Sequence, residues 1–284
     1  MLDSLTSLFA AADKGIHVSL KAEKIFEIGG VNVTNSMLYG FIVAMFMAVL
    51  LVFVARKSSV KAKKGVVAII EMIVEFVVGI LEGAFGSRAK AYKYTPVFGT
   101  FFLFILFSNI LGLLPIVGPG LNSTTAEGTI PLLRPFTADL NGTIVMSVVA
   151  IIAVQVMSIQ AQGFKGHMTH YFSDKPFNPI NFFIGILEVI GEFTRVLSLS
   201  LRLFLNTAVG EILVAVFTSL ILSGGRTPIA VIPIILFELL VAGIQAYVFT
   251  VLAATYLALA ISHAHDEDEH DAVLAQKVEE LQPS

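Results

Sequence analysis

The sequence predicts an all-α integral membrane protein: about five spanning helices, one in-plane amphipathic helix, and two long tilted helices forming a C-terminal hairpin. Three observations carry this. Hydrophobic residues make up 56% of the 284 residues and charged residues only 14%, where an ordinary soluble domain has about 25% charged. The mean hydropathy is +0.86. The apolar residues gather into runs long enough for a hydrocarbon core of about 30 Å, which takes roughly 20 residues at about 1.5 Å each. The chain has no cysteine, which excludes a disulfide framework, a thiolate metal site and a thiol nucleophile. The net charge of −3 says little about partners; the placement of the charges says more.

Residues 1–35 read as an extramembrane N-terminal arm. They lack the basic start and compact apolar core of a cleaved signal peptide. The membrane domain is expected over residues 36–262. Its first spanning helix is residues 37–55. Residues 66–85 are long enough to span, but Lys61, Lys63 and Lys64 precede them and Arg88, Lys90 and Lys93 follow. Positive charge marks the cytoplasmic side, so both ends fall on one side. Glu71, Glu75 and Glu82 also form a narrow polar stripe on one helical face. The segment is therefore read as a helix lying in the cytoplasmic interface, with a spanning helix as the alternative.

Residues 98–114 and 144–160 are the next two spans. The loop between them carries Arg134 and Asp139, both read as loop residues. Residues 181–222 and 229–262 form longer runs, about 63 and 51 Å if straight at 1.5 Å per residue. Such helices must tilt, bend or run into solvent. The turn between them, "SGGRTP", contains Arg226, with glycines to reverse the chain and Pro228 to begin a helix. Basic residues near Arg56, Lys165 and Lys175 put those ends in the cytoplasm, which leaves the N-terminus outside and the C-terminus inside. Residues 263–284 are an acidic cytoplasmic tail. His263, His265 and His270 lie among its acids, but nothing in their spacing fixes a metal-ligand geometry, and solvated charge is the reading.

Charged groups within the apolar runs point to function. Residues 181–222 carry Glu188, Glu192, Arg195, Arg202, Asn206 and Glu211; residues 229–262 carry Glu238 and Gln245. An arginine at mid-membrane costs roughly 2.5 to 3.5 kcal/mol on insertion scales and usually marks an ion or proton path. At about 100° per residue, Glu188, Arg195 and Asn206 fall within about 40° of Arg202, while Glu211 lies about 180° away. In an antiparallel hairpin, Glu211 and Glu238 share one level and Arg202 and Gln245 another, with Glu188 on the far side of the arginine. Protonatable groups thus lie above and below a fixed cation. A guanidinium stays charged at any accessible pH, so it blocks a continuous proton wire, and transport needs a moving partner that carries protons past it. Glu192 and Arg195, three residues apart, read as a pair near the interface.

Several stretches resemble the a subunit of the F-type ATP synthase membrane sector: "FLFILFSNILGLLP" (102–115), "RPFTADLNGT" (134–143), "PFNPINFF" (176–183), "SLSLRLFLNTAVGEIL" (198–213) and "IQAYVFTVLAATYLALA" (244–260). Together they cover most of the chain from the third helix onward. The resemblance implies a proton-conducting stator subunit of a rotary machine, non-catalytic on its own. It faces a ring of c subunits, with b-type peripheral stalk subunits and the rest of the complex as further partners, in a bacterial inner membrane. It implies the essential charge at Arg202, an outer half-channel at Glu211, Glu238 and Asn109, a mid-membrane polar partnership of Gln245 and Asn206, and an inner half-channel acid at Glu188. No cofactor, no metal and no nucleic acid is implied, and there is no G-x-x-x-x-G-K-[ST] loop to bind nucleotide. The chain departs from the family pattern at Leu205, where glycine is usual, at Thr207, where methionine is common, and at Glu238, often histidine. The alternatives are a self-contained secondary transporter binding substrate at Arg202, against which stands the absence of an inverted repeat, and a non-transporting membrane scaffold.

Overall fold

A computed structural model describes residues 22–57, 65–114, 117, 122–125, 128–172, 179–223 and 232–280. Residues 1–21 of the expected arm, Lys61, Lys63, Lys64, Lys175 and the Arg226 turn lie outside the described residues, as do the side chains of Lys165, His263, His265 and His270. The described chain is helical apart from two small hairpins. In order it comprises β1 (Lys24–Ile28), β2 (Val31–Thr34), α1 (Asn35–Lys57), α2 (Val66–Phe85), α3 (Arg88–Gly112), β3 (Asn122–Thr125), β4 (Gly128–Pro131), a 3₁₀ turn (Phe136–Ala138), α4 (Leu140–Phe172), α5 (Pro179–Ser223) and α6 (Ile232–Glu280). β1 pairs antiparallel with β2, and β3 with β4.

Among the described residues, five helices are long and apolar enough to cross a membrane: Asn35–Lys57, Arg88–Gly112, Leu140–Gly163, Gly185–Val214 and Ile232–Ile261. This is an all-α integral membrane architecture. Several helices outrun their apolar cores. α3 begins at Arg88, well before the apolar run at Phe98, and α6 continues to Glu280 through the acidic segment. Helical hydrogen bonds propagate along the backbone whatever solvent the side chains meet, so hydropathy marks the lipid-crossing part and not the helix end.

Two ends are set by local chemistry. α2 stops at Gly86, which takes the left-handed conformation (φ 64°) and donates its N–H to the Glu82 carbonyl at 2.9 Å, as glycine permits at a helix C-terminus. α4 starts where Asp139, in extended conformation, accepts the Asn141 N–H at 3.1 Å through Oδ1. That is an N-cap. The helical path of α4 breaks at Gly163 (φ 81°).

The chain forms two compact units. The first comprises the described parts of 1–56, 103–143 and 200–247; the second those of 57–102, 144–199 and 248–284. In the first unit, Tyr39, Val43 and Val117 are buried, with Phe104, Phe107, Leu111, Leu133 and Phe136 packed on them. The 3₁₀ segment reaches this core because glycines leave room. A Cβ on Gly40 would come within 2.7 Å of the Phe136 ring, and one on Gly142 within 2.9 Å of the Phe136 carbonyl.

In the second unit, α2 presents three faces. Val67, Ile70, Val77, Val78 and Leu81 are buried. Ile69, Met72 and Phe76 are exposed and, by helical phase, lie opposite them. Glu71, Glu75 and Glu82 run along one flank. Phe85 packs on Tyr94 and Phe98 of α3, with ring centroids 5.1 and 6.5 Å apart.

Candidate functional site: polar groups of the two units

The first unit contains a polar network built on a strap, residues 131–139. The strap is tied to three helices. The Asn35 amide of α1 donates to the Pro131 carbonyl at 3.1 Å, the Ser36 hydroxyl donates to Asp139 Oδ2 at 2.6 Å, and the Thr137 hydroxyl donates to Asn109 Oδ1 of α3 at 2.6 Å. Asp139 therefore caps α4 with one oxygen and anchors α1 with the other. Tyr39 donates its hydroxyl to the Ser108 carbonyl at 2.6 Å. Asn35, Ser36, Asn109, Arg134, Thr137 and Asp139 are all buried. Buried polar groups are costly unless hydrogen-bonded, so these bonds fix the strap.

Arg134 and Asp139 add to the sequence reading. Both lie in the connection between helices, but neither is a solvated loop residue. Arg134 reaches α5, with Nη2 3.6 Å from Glu211 Oε2, and donates to the Ala138 carbonyl at 3.1 Å. Their signal in sequence was weak, because a loop charge is ordinarily solvated. The one hint was the short spacing between Asp139 and the apolar run that follows, which fits a helix cap.

On α5 and α6 the first unit brings together most of the singled-out residues. The Asn206 amide donates to Gln245 Oε1 at 2.6 Å. Gln245 is buried. The hairpin level therefore pairs Gln245 with Asn206, one turn beyond Arg202. The Glu238 carboxylate lies directly over Gly210, where a Cβ would collide with it. Glu238 is buried, and its neighbour across the helix pair adjoins Glu211. Arg202 is half-buried. On its side of α5, Leu201, Leu205 and Val209 are exposed at 42%, 51% and 50%; by helical phase they form an apolar face that includes the arginine. Within residues 200–223 Arg202 is the sole basic residue.

The second unit holds Glu188. It lies 3.8 Å from Arg195 Nη2, and Arg195 also hydrogen-bonds Glu192. The Arg195 guanidinium sits 5.1 Å above the Tyr256 ring of α6, a favourable cation–π placement. Arg195 thus meets Glu188 as well as Glu192, which extends the expected Glu192–Arg195 pair. On α2 and α3, Arg88 pairs with Glu75 and Glu82, and its guanidinium lies 5.5 Å from the Tyr92 ring centroid. Gln162 of α4 donates to the Ala260 carbonyl of α6 and, at 3.1 Å, to Ser158. Among the described residues no group of three or more His, Cys, Asp or Glu is placed to hold a metal ion.

Comparison with known proteins bears on this arrangement. The family model described as ATP synthase A chain matches residues 37–258. A protein of Gloeobacter violaceus named ATP synthase subunit a is 32% identical over 93% of this chain and 95% of its own length. One of Moorella thermoacetica with the same name is 31% identical over 85% of this chain and 97% of its own. The chain spans only 59% of the length of ATP synthase subunit a 2 of Chlorobaculum tepidum, at 33% identity over 77% of this chain. With the family model matching well over half its length, the five apolar helices belong to a chain that is a member of the ATP synthase A chain family.

Proposed function

We propose that this chain is the proton-conducting stator subunit of a rotary F-type ATP synthase, and that it provides two offset half-channels and an essential arginine opposite the carboxylates of a c-subunit ring. The observation that carries the reading is the placement of Arg202. Arg202 is half-buried beside an apolar, exposed face of a spanning helix, and a guanidinium left at such a place against lipid alone costs several kcal/mol. The cost falls if that face meets a protein surface that presents acids. A ring of helices, each with one mid-membrane carboxyl, is such a surface. The names of the relatives, ATP synthase subunit a, supply the class of machine.

The chemistry follows from charge. A proton entering from outside passes to Glu211 and Glu238, with Asn109 and its Thr137 partner lining the approach. It is handed to a ring carboxylate, which is then neutral and turns into lipid. A carboxylate arriving at Arg202 from the other direction must be ionised, because the permanent cation favours the charged form. Its proton leaves through the inner half-channel at Glu188. Gln245 and Asn206 bond each other beside Arg202 and keep the helix pair in register there. Arg202 thus separates the two paths and prevents a leak. The chain itself performs no ATP chemistry. Residues 1–35 are an arm, residues 36–262 the membrane domain and residues 263–284 a cytoplasmic tail. The N-terminus is outside the inner membrane, α2 lies in the cytoplasmic interface, and b-type stalk subunits hold the chain against rotation.

The test is ATP synthesis driven by an imposed proton gradient, in vesicles carrying the whole complex. Arg202→Ala abolishes synthesis on this reading, while ATP hydrolysis by the detached catalytic sector is unchanged. Normal coupled synthesis with that substitution overturns it.

A further inference from the structure

We infer that Arg134, a strap residue outside the spanning helices, is a positioning residue that holds the Glu211 carboxylate in place for proton exchange. The inference rests on the proposal that Glu211 carries protons, and it adds a second fixed cation to the account. Three observations lead to it. The guanidinium is buried and lies 3.6 Å from Glu211 Oε2. Its backbone is immobilised, because the strap around it is bonded to α1 at Asn35 and Ser36, to α3 at Asn109, and to α4 through the Asp139 cap. The Glu211 side chain meanwhile keeps 27% of its exposure. The acid is therefore held from one side and open on another.

That combination suits a proton-exchanging group. A glutamate on a helix has three rotatable bonds and spreads over several rotamers. A group that must accept a proton from water and pass it on gains from one fixed position. A guanidinium is suited to the holding role because it stays charged and offers donors in a planar fork. One of these donors is already used on the Ala138 carbonyl at 3.1 Å, which sets the orientation of the fork. The strap, the connection between α3 and α4, thereby becomes part of the proton path without itself carrying a proton.

The experiment measures proton-driven ATP synthesis in the whole complex for Arg134→Ala, Arg134→Lys, Glu211→Gln and the double variants. The expected results are a loss of about tenfold or more for Arg134→Ala, partial recovery with Arg134→Lys, and no further loss when Arg134→Ala is added to Glu211→Gln. A purely structural role predicts the opposite: the same fold-loss from Arg134→Ala in both backgrounds, and this overturns the inference while leaving the role of Glu211 intact. Full activity of Glu211→Gln overturns the role of Glu211 and the inference with it. Should Arg134→Ala fail to assemble, assembly of Arg134→Ala with Glu211→Gln supports the pairing, since neutralising the acid then removes the uncompensated, partly buried charge. Failure in both backgrounds, with Arg134→Lys equally impaired in both, overturns it.

Discussion

Glu211 and Glu188 sit on the same helix, α5, yet what holds them comes from very different distances along the chain. Glu211, in the first unit, is met by Arg134 from a strap two helices earlier in sequence. Glu188, in the second unit, is met by Arg195 of its own helix, about two turns away. The ion pairs and most other polar pairs follow the same trend, with Gln162 and the Ala260 carbonyl a long-range exception in the second unit. Ser36 with Asp139, Thr137 with Asn109 and Asn206 with Gln245 are all long-range and largely buried. Arg88 with Glu75 and Glu82, and Arg195 with Glu192, are short-range and at least partly open to solvent. Burial makes each broken bond costly, whereas exposed pairs are screened. The first unit should therefore be rigid and intolerant at its polar groups, and the second forgiving.

Substitutions at matched positions in the two units sharpen this contrast. The largest effect after loss of Arg202 is expected at Gly210. Gly210→Ala puts a methyl where the Glu238 carboxylate lies. The carboxylate is the end of a flexible side chain and swings away, so the chain still folds. Proton-driven synthesis nevertheless falls by about tenfold, while thermal stability changes by less than about 1 kcal/mol. An unchanged rate would show that the position of Glu238 does not matter. Ser36→Ala comes next. It removes the donor to buried Asp139 and should cost about 1 to 3 kcal/mol, read as a lower melting temperature of the purified complex. Arg88→Ala, in the second unit, breaks two exposed, solvent-screened ion pairs and should leave the melting temperature of the purified complex nearly unchanged. Equal destabilisation by Ser36→Ala and Arg88→Ala would break the comparison.

The same contrast explains what could be read from sequence. The apolar runs announced five spanning helices because lipid demands a fixed length of apolar side chains. The glutamate stripe of α2 was legible because its spacing is local. The hairpin level of α5 and α6 was legible to within a turn: Glu238 lies over Gly210, next to Glu211, but Gln245 bonds Asn206 and not a group at the level of Arg202. Helix rotation and tilt shift such levels, and no sequence rule fixes them. Arg134 and Asp139 lie in the loop, as read, but their burial and their partners, Glu211 and Ser36, could not be seen because those partners are far away in sequence. A loop charge gives no local sign that it will be buried. The fit of Phe136 against Gly40 and Gly142 was hidden for the same reason.

Leu205 offers the most direct test of the central claim, that the Arg202 face of α5 meets a rotating partner. The residue is half-exposed on that face, and the chain holds no cysteine, so Leu205→Cys introduces its sole thiol. The measurement is oxidative cross-linking to a cysteine placed beside the carboxyl of the ring subunit, in a complex that makes ATP before oxidation. The account predicts a disulfide between the two chains, arrest of synthesis, and recovery on reduction. A thiol at position 205 that stays uncross-linked and reacts with lipid-soluble reagents throughout, in a complex that goes on making ATP, would contradict it.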